Sequence, residues 1–244
     1  MIMNIRTVGA EEGVKWLSEG WRLFLRNPGM WIALMIILLL LSVAAHYIPL
    51  IGTLALSLIS PALGAGLYYG ARQLDEGRDL ALEHLFIGLT DPQKRNPFLL
   101  LGALYLGAAI MVAIAMMIFG GGAIMGAMMG GRAAGAAFTG VGLIAVLVGL
   151  TLAALVAMAF LYASPLVMFD NVPPIEALKA SFDACMKNIA SMLVFGLIAM
   201  VLTILAVIPA GLGLLVLGPV MVGAIYASYK SIFVTETVAL PPVA

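Results

Sequence analysis

Three pairs of a basic residue and an asparagine are the side chains in this sequence best suited to bind an anion. Each pair stands immediately before an apolar stretch, where asparagine can cap a helix by accepting a hydrogen bond from an unpaired backbone N–H. The N-terminus of a helix attracts phosphate, and an adjacent cation adds to that attraction. These pairs are therefore the candidate site for anionic lipid headgroups: Arg26 and Asn27, Arg95 and Asn96, and Lys187 and Asn188. The alternative is that each asparagine only caps a helix and each cation only orients a span.

Residues that could support catalysis or hold a metal are few and scattered. His84 follows Glu83, but no second histidine stands near it, so the zinc-binding spacing of two histidines is missing. Cys185 is the only cysteine, which excludes an intrachain disulfide and a cysteine-cluster metal site. We expect Glu83 and His84 to form a wet polar surface. Cys185 should pack in a core, and His46 should lie at a membrane interface. The sequence thus predicts no catalytic residues, no metal, no cofactor and no enzymatic activity.

A glycine- and methionine-rich segment covers about residues 120–138. Glycine recurs at every fourth place, at Gly122, Gly126 and Gly130, a spacing that lets helices approach closely. The segment is therefore interpreted either as a re-entrant or gating element or as an apolar loop on the outer leaflet. A third hypothesis is a thioether site for Cu(I), because soft ligands suit that ion.

The composition decides which kind of element must position these residues. Hydrophobic residues make up 64% of the 244 residues and charged residues only 10%, against about 25% charged in an average soluble domain. Most of the chain therefore has lipid as its solvent, and long uninterrupted apolar runs select helices over a barrel. The net charge of zero gives no reason to expect a nucleic-acid partner.

Six apolar stretches have about the 20 residues that a helix needs to cross a bilayer. Very short connections at Pro49 and Pro209 join the first two stretches and the last two, so each of those pairs must form an antiparallel helical hairpin. The stretches are approximately residues 28–48, 50–70, 97–119, 139–165, 189–208 and 211–229.

The basic residues predict the orientation of the chain, because cytoplasmic loops carry an excess of Lys and Arg. With a cytoplasmic N-terminus, eleven of the twelve Lys and Arg residues are cytoplasmic and only Arg132 is outside. All twelve acidic residues then fall on the cytoplasmic side as well. We therefore predict a multi-pass inner-membrane protein with both termini in the cytoplasm and an outer face that carries almost no charge.

The chain divides into three copies of one unit, about residues 10–72, 79–166 and 173–230, within a single membrane domain of residues 1–244. Each unit consists of an amphipathic helix on the cytoplasmic face, a basic–asparagine pair and a transmembrane hairpin. Because the units run in the same direction, we expect them to be related by an axis near the membrane normal. The predicted fold class is therefore all-α membrane, with six transmembrane helices as three repeated units.

Two details of the units can be compared directly with a structure. Units one and three share a proline followed at equal distances by a tyrosine and a basic residue. These are Pro61, Tyr68 and Arg72, and Pro219, Tyr226 and Lys230. Each amphipathic helix should also bury one apolar face. The predicted faces are Val14, Leu17, Trp21, Phe24 and Leu25 in the first; Leu82, Leu85, Phe86 and Leu89 in the second; and Ile175, Leu178, Phe182 and Cys185 in the third.

One stretch of the sequence resembles a known family. The stretch is Ser164-Pro165-Leu166-Val167-Met168-Phe169-Asp170, followed by Pro174, Glu176-Ala177-Leu178, Ser181 and Asn188, and it is supported by Gly20-Trp21-Arg22 with Asn27-Pro28. It resembles an uncharacterised proteobacterial family of polytopic inner-membrane proteins, distantly similar to the membrane domain of glycerophosphoryl diester phosphodiesterases. The resemblance implies a helical membrane fold in a bacterial inner membrane, without phosphodiesterase activity.

These observations lead to two hypotheses about function. The first is a non-enzymatic scaffold that binds membrane lipids, or a protein partner, through its cytoplasmic face, because the recognisable polarity lies there. The alternative is a channel or facilitator for a small or apolar solute along the repeat axis. A homo-oligomer is compatible with both hypotheses.

Overall fold

The computed structural model describes residues 4–48, 50–128 and 141–234, and these residues are almost entirely helical. Two short strands and one 3₁₀-helix complete the architecture. The α-helices are α1 (Glu12–Arg26), α2 (Pro28–Tyr47), α3 (Ile51–Asp75), α4 (Ile87–Thr90), α5 (Pro92–Met128), α6 (Val141–Leu161), α7 (Ala163–Phe169), α8 (Pro174–Lys187), α9 (Ile189–Val207) and α10 (Leu214–Ile232); the 3₁₀-helix is Leu82–Phe86, and the strands are β1 (Asn4–Ile5) and β2 (Phe233–Val234).

All six predicted spans are present as helices that are long and apolar enough to cross a membrane. The fourth span continues from α6 into α7 and is interrupted only at Tyr162. Helix α3 continues to Asp75, beyond the predicted end near residue 70. Arg72 and Asp75 therefore belong to a spanning helix and are carried at its end.

The glycine- and methionine-rich segment begins as a continuation of α5. The backbone is helical through Met128, so residues 120–128 do not form a loop. Residues 129–140, which contain the rest of the segment, lie outside the described residues. For residues 129–140, the re-entrant element and the loop therefore both remain predictions.

The two predicted hairpins are confirmed. Helix α2 packs against α3, and α9 packs against α10. The chain reverses direction with left-handed backbone conformations: Leu50 has φ 65°, and in the second turn Ala210 and Gly211 have φ 53° and 80°. Such residues break a helix sharply, which allows the next helix to return along its neighbour.

In the first and last hairpins, the second helix lies towards the centre of the bundle. About a third of the apolar part of α3 and 44% of that of α10 are buried, compared with 11% for α2 and α9. Tyr162 donates a hydrogen bond from its hydroxyl to Ser228 at 2.9 Å, which links the fourth span to α10. Ser164 donates to the carbonyl oxygen of Pro61 at 3.2 Å, which links it to α3.

Helix α1 docks on α10 and α9 by direct contact between backbones. A Cβ atom at Gly20 would overlap the carbonyl oxygen of Val220 and would stand 2.7 Å from the amide nitrogen of Ala224. At Gly13 it would stand 2.6 Å from the carbonyl oxygen of Ser191. Only glycine permits this approach, so α1 is positioned by the absence of side chains on one face.

Two further segments dock on central helices in a comparable way. The 3₁₀-helix and α4 pack on α3, where Gly66 adjoins the carbonyl oxygen of Leu85 and Gly88 adjoins Ala62. Helix α8 packs on α6, where Ser181 donates to the carbonyl oxygen of Met158 at 2.6 Å. Each docked segment therefore lies against the second helix of a hairpin. That hairpin is never the one that directly follows the segment in the chain.

The structure corrects the predicted apolar face of α1. The buried residues on this helix include Trp16, Leu17, Leu23 and Phe24 beside the two glycines. The remaining members of the predicted face are about half exposed: Val14, Trp21 and Leu25. The face is rotated because the side that meets the bundle is the one on which the two glycines allow close approach, with Trp16 and Leu23 packed beside them.

The second amphipathic segment is also corrected, because it is not a regular α-helix. Residues 82–86 form a 3₁₀-helix with about three residues per turn, so positions chosen for the α-helical period do not share one face. Leu85 is fully buried, whereas Leu82 is 44% exposed. The third segment is confirmed as a helix. Cys185 of its predicted face is buried, whereas Ile175 is 54% exposed, so that member of the face is wrong.

Both ends of the described chain meet at one end of the bundle. Strands β1 and β2 are antiparallel, with Asn4 opposite Val234 and Ile5 opposite Phe233. The amide of Arg6 continues the pairing by donating to the carbonyl oxygen of Ile232 at 2.9 Å. We call this end, which holds the two strands and the C-terminal ends of α3, α7 and α10, the charged end.

Replacement of Gly20 by leucine should destabilise the protein by about 3 kcal/mol or more, because the new side chain must displace the backbone of α10. The matched control is Gly196→Leu on α9, where a Cβ atom meets nothing within 4 Å. Unfolding free energies from detergent titration in mixed micelles test this. Equal stability of the two variants would show that α1 is not held by backbone contact.

Candidate functional site

Asp75 is the centre of an ion-pair cluster at the charged end. Its side chain is only 15% exposed. The ammonium of Lys230 lies 2.5 Å from one carboxylate oxygen, and the guanidinium of Arg22 lies 3.2 Å from the other. One carboxylate therefore ties α1, α3 and α10 together beside an open cleft of about 400 Å³.

Two further polar contacts fasten α7 to its neighbours. The hydroxyl of Tyr229 donates to the carboxylate of Asp170 at 2.5 Å. The ammonium of Lys94 donates to the carbonyl oxygens of Val167 and Met168 and to the side chain of Asn171. A cation near the last carbonyls of a helix is favourable, because the C-terminal end of a helix carries partial negative charge.

The predicted site residues did not include the cluster around Asp75, although the sequence contained a signal for it. The shared proline–tyrosine–basic spacing of units one and three ends at Arg72 and Lys230. Both residues line a second cleft at the charged end, together with Asp75. The spacing by itself predicts a repeat, and it does not indicate that the two basic residues converge.

The first predicted pair, Arg26 and Asn27, has a structural role. Asn27 caps α2 by accepting a hydrogen bond from the amide of Met30 at 3.2 Å, and Pro28 follows at the first helical position. Arg26 donates to the carbonyl oxygens of Leu74 and Asp75 at the end of α3. The capping prediction is confirmed at this pair, and the guanidinium of Arg26 already binds carbonyl oxygens at the end of α3.

The second predicted pair does not mark the start of a helix. Helix α5 begins at Pro92, and Pro97 lies inside it, so the prediction that Asn96 is a cap is wrong. Asp91 takes that place, because its carboxylate accepts a hydrogen bond from the amide of Gln93 at 2.8 Å. Arg95 and Asn96 are consequently exposed on the first turns of α5.

The third pair separates into an exposed cation and a buried amide. Lys187 is exposed, whereas Asn188 is only 2% exposed. Asn188 occupies the cap position of α9 but does not cap it with its side chain. Its amide instead accepts from the amide of Val8 at 2.8 Å and donates to the carbonyl oxygens of Arg6 and Ala184. This residue therefore fastens the N-terminal segment to the bundle.

The three pairs are not joined into one site. No hydrogen bond or ion pair connects one pair to another within residues 4–48, 50–128 and 141–234. In the same part of the chain, Arg95 and Lys187 take part in none of the ion pairs. Among the described residues there is also no group of three His, Cys, Asp or Glu side chains that could hold a metal ion.

The two candidate reactive residues outside the spans, Cys185 and His84, both make contacts that stabilise the fold. Burial raises the pKa of the Cys185 thiol to about 12, and the thiol contacts the carbonyl oxygen of Met158. Burial also lowers the pKa of His84, against an opposing effect of Glu83. The His84 ring accepts a hydrogen bond from the amide of Ala81 and packs edge-on against Tyr69. Only Glu83 fits the predicted wet surface, because His84 is half-buried.

Comparison with known proteins supports the membrane assignment. The chain is 30% identical over 202 residues to a probable inner membrane protein of Burkholderia thailandensis; the match covers 80% of this chain and 75% of that protein. No family profile matches the chain. No solved structure matches it either.

The asparagines of the three pairs should differ in their contribution to stability. We expect Asn188→Ala to cost about 2–3 kcal/mol, because it leaves buried backbone groups of the N-terminal segment unpaired. Asn27→Ala should cost about 1 kcal/mol, the usual value for a lost cap. Asn96→Ala is the matched control and should change little. Unfolding free energies of the three variants test this order, and an equal effect at all three would refute the assigned roles.

Proposed function

This chain belongs to the family of the Burkholderia inner membrane protein, and from that premise we propose that it is a non-enzymatic membrane scaffold. The chain is an integral membrane protein with six apolar helices. In the proposal, its charged end faces the cytoplasm, binds anionic lipid headgroups and offers a surface to a protein partner. The likeness to the membrane domain of glycerophosphoryl diester phosphodiesterases stays a prediction.

Three repeated units around a common axis form part of the proposal. The support is the cyclic order of contacts. Helix α1 packs on α10, the second helix of the third hairpin; α4 packs on α3, the second helix of the first hairpin; and α8 packs on α6, the second helix of the second hairpin. The docking positions also correspond, because Ala62 and Gly66 follow Pro61 by one and five residues, as Val220 and Ala224 follow Pro219. Such an order is what a parallel threefold repeat would produce.

A cytoplasmic position of the charged end is the second part of the proposal. The paired strands place the two ends of the described chain side by side, which is consistent with both termini on one side. The basic residues accumulate at that end, and cytoplasmic segments carry such an excess. Helix α1 supports this placement, since exposed Val14, Trp21 and Leu25 form an apolar stripe suited to the membrane interface.

The observation that carries lipid binding is the exposure of Arg95 and Lys187 at the beginnings of two spans. Neither makes an ion pair within the described residues, whereas Arg26 is engaged with the end of α3. Basic residues at the cytoplasmic interface attract anionic headgroups. The proposed lipid site therefore centres on the two exposed cations, Arg95 and Lys187, instead of on all six residues of the three pairs.

The packing on the axis favours a scaffold over the alternative, a channel. Tyr162, Ala163 and Leu166 of the fourth span are fully buried between the central helices, as is Ala65 of α3. The hydrogen bonds of Tyr162 and Ser164 join the fourth span to α10 and α3 at that level. No feature of the described residues favours transport in the same way.

The double variant Arg95→Gln, Lys187→Gln should bind anionic lipid more weakly by a factor of about 30. This corresponds to about 1 kcal/mol for each basic residue near the membrane surface. Binding of phosphatidylglycerol, measured by native mass spectrometry against phosphatidylcholine, tests this. Arg26→Gln is the control, which should lower stability and leave lipid affinity unchanged. Equal lipid affinity of the wild type and the double variant would refute the proposal.

Reporter fusions test the proposed orientation. A reporter that is active only outside the cytoplasmic membrane should be active when it is inserted near residue 130. A reporter that is active only in the cytoplasm should be active when it is fused after Ala244. The reason is that this orientation places eleven of the twelve basic residues inside. A fusion before residue 4 serves as the control and should agree with the C-terminal one. The opposite pattern would overturn the orientation of the charged end.

A further inference from the structure

A second cleft at the charged end combines aromatic rings with carboxylates. It has a volume of about 580 Å³ and lies where α3, α7 and α10 end. Four rings contribute to its wall, and neighbouring ring centroids are 5.5–6.0 Å apart. The rings are Phe169, Tyr226, Tyr229 and Phe233. We call this feature the aromatic bowl.

One carboxylate of the bowl, Asp170, has no cation paired with it among the described residues. Its carboxylates are Asp75, Glu76 and Asp170, and its basic side chains are Arg72 and Lys230. Asp75 is paired with Lys230 and Arg22, and Glu76 is paired with Arg72 and Arg78. Asp170, in contrast, makes no ion pair in the described part of the chain and accepts a hydrogen bond from Tyr229. Three helices also end at the bowl, and each C-terminal end adds partial negative charge.

The chain's own cations already use the aromatic faces. The guanidinium carbon of Arg72 lies 5.1 Å from the centre of the Phe169 ring. The ammonium of Lys230 lies 5.7 Å from the centre of the Tyr226 ring. Both distances are within the range of a cation–π interaction. The bowl therefore contains faces that demonstrably accommodate positive charge.

Lys230 can leave the bowl without leaving Asp75 unpaired. The side chains of Arg72 and Lys230 are 43% and 53% exposed, and Asp75 keeps Arg22 as a second partner when Lys230 turns outward. Lys230 reaches the bowl from the last turn of α10, with solvent on its other side. A ligand that brings its own positive charge can take the place of Lys230 between Tyr226 and Asp75 while the lysine turns outward.

We propose that the aromatic bowl binds a small organic ammonium, of the kind found in choline or ethanolamine. The rings receive the ammonium and its apolar substituents, and Asp75 and Asp170 balance its charge. The ammonium can be the headgroup of a zwitterionic lipid or a free amine in solution. This inference is independent of the lipid proposal above, since neither Arg95 nor Lys187 takes part in it.

The first test is calorimetric titration of the purified full-length protein with choline and with ethanolamine. We expect saturable binding of at least one of them and none of inorganic phosphate. Lys230→Gln should bind about fivefold more tightly, because it removes the internal competitor. A misfolded protein would not give this gain. Absence of binding to both the wild type and Lys230→Gln would overturn the proposal.

The second test locates the site. Phe169→Leu should weaken binding about fivefold or more, because it removes an aromatic face of the bowl. The matched control is Tyr105→Leu, which alters an aromatic pair with Phe160 elsewhere in the bundle and should bind normally. Thermal melting verifies that both variants are folded. Equal weakening in both variants, or in neither, would overturn the assignment to the bowl.

The third test identifies the source of the ammonium. The titration is repeated in nanodiscs of phosphatidylglycerol alone and in nanodiscs that also contain phosphatidylethanolamine. Weaker apparent binding of the free amine in the second set supports a lipid headgroup as the occupant. Equal binding in both sets supports a free amine. Loss of the free-amine signal in both sets would contradict the proposal.

Discussion

Close contact between backbones at glycine is the interaction on which the rest of this structure depends. Inside a bilayer, apolar side chains gain nothing by leaving lipid for protein, so helices associate through tight packing and hydrogen bonds. Gly13 and Gly20 bring α1 against α9 and α10, and Gly66 and Gly88 bring α4 against α3. With larger residues there, the docked segments would stand away from the central helices and the charged end would not assemble.

The docked segments decide where charge can be placed. Because α1 lies directly on α10, Arg22 can reach Asp75 at the end of α3 together with Lys230. Because the N-terminal segment is held by Asn188 and Ser191, the first strand can pair with the last. The polar contacts thus follow from the apolar packing. They join elements that are far apart in sequence at the one end of the bundle where the charges accumulate.

The division of roles among the basic residues matters for function. Cations that contact carbonyl oxygens at helix ends, such as Arg26 and Lys94, hold the bundle together. Cations that remain exposed at the start of a span, such as Arg95 and Lys187, are free of that task within the described residues. A third group, Arg72 and Lys230, lies over aromatic rings. The same residue type therefore serves three purposes at one end of the molecule.

The sequence by itself determined the class of protein, the six spans, both hairpins and the cap at Asn27, because lipid burial and helix termination are properties of short segments. Only the tertiary structure decided the buried face of α1, the 3₁₀ form of residues 82–86, the beginning of α5 at Pro92 and the role of Asn188. The cluster at Asp75 also required it, because Arg22, Asp75 and Lys230 come from three distant segments. The apolar pattern of short segments specifies which helices cross the membrane. The close approach of backbones at glycines specifies which residues of distant segments come into contact.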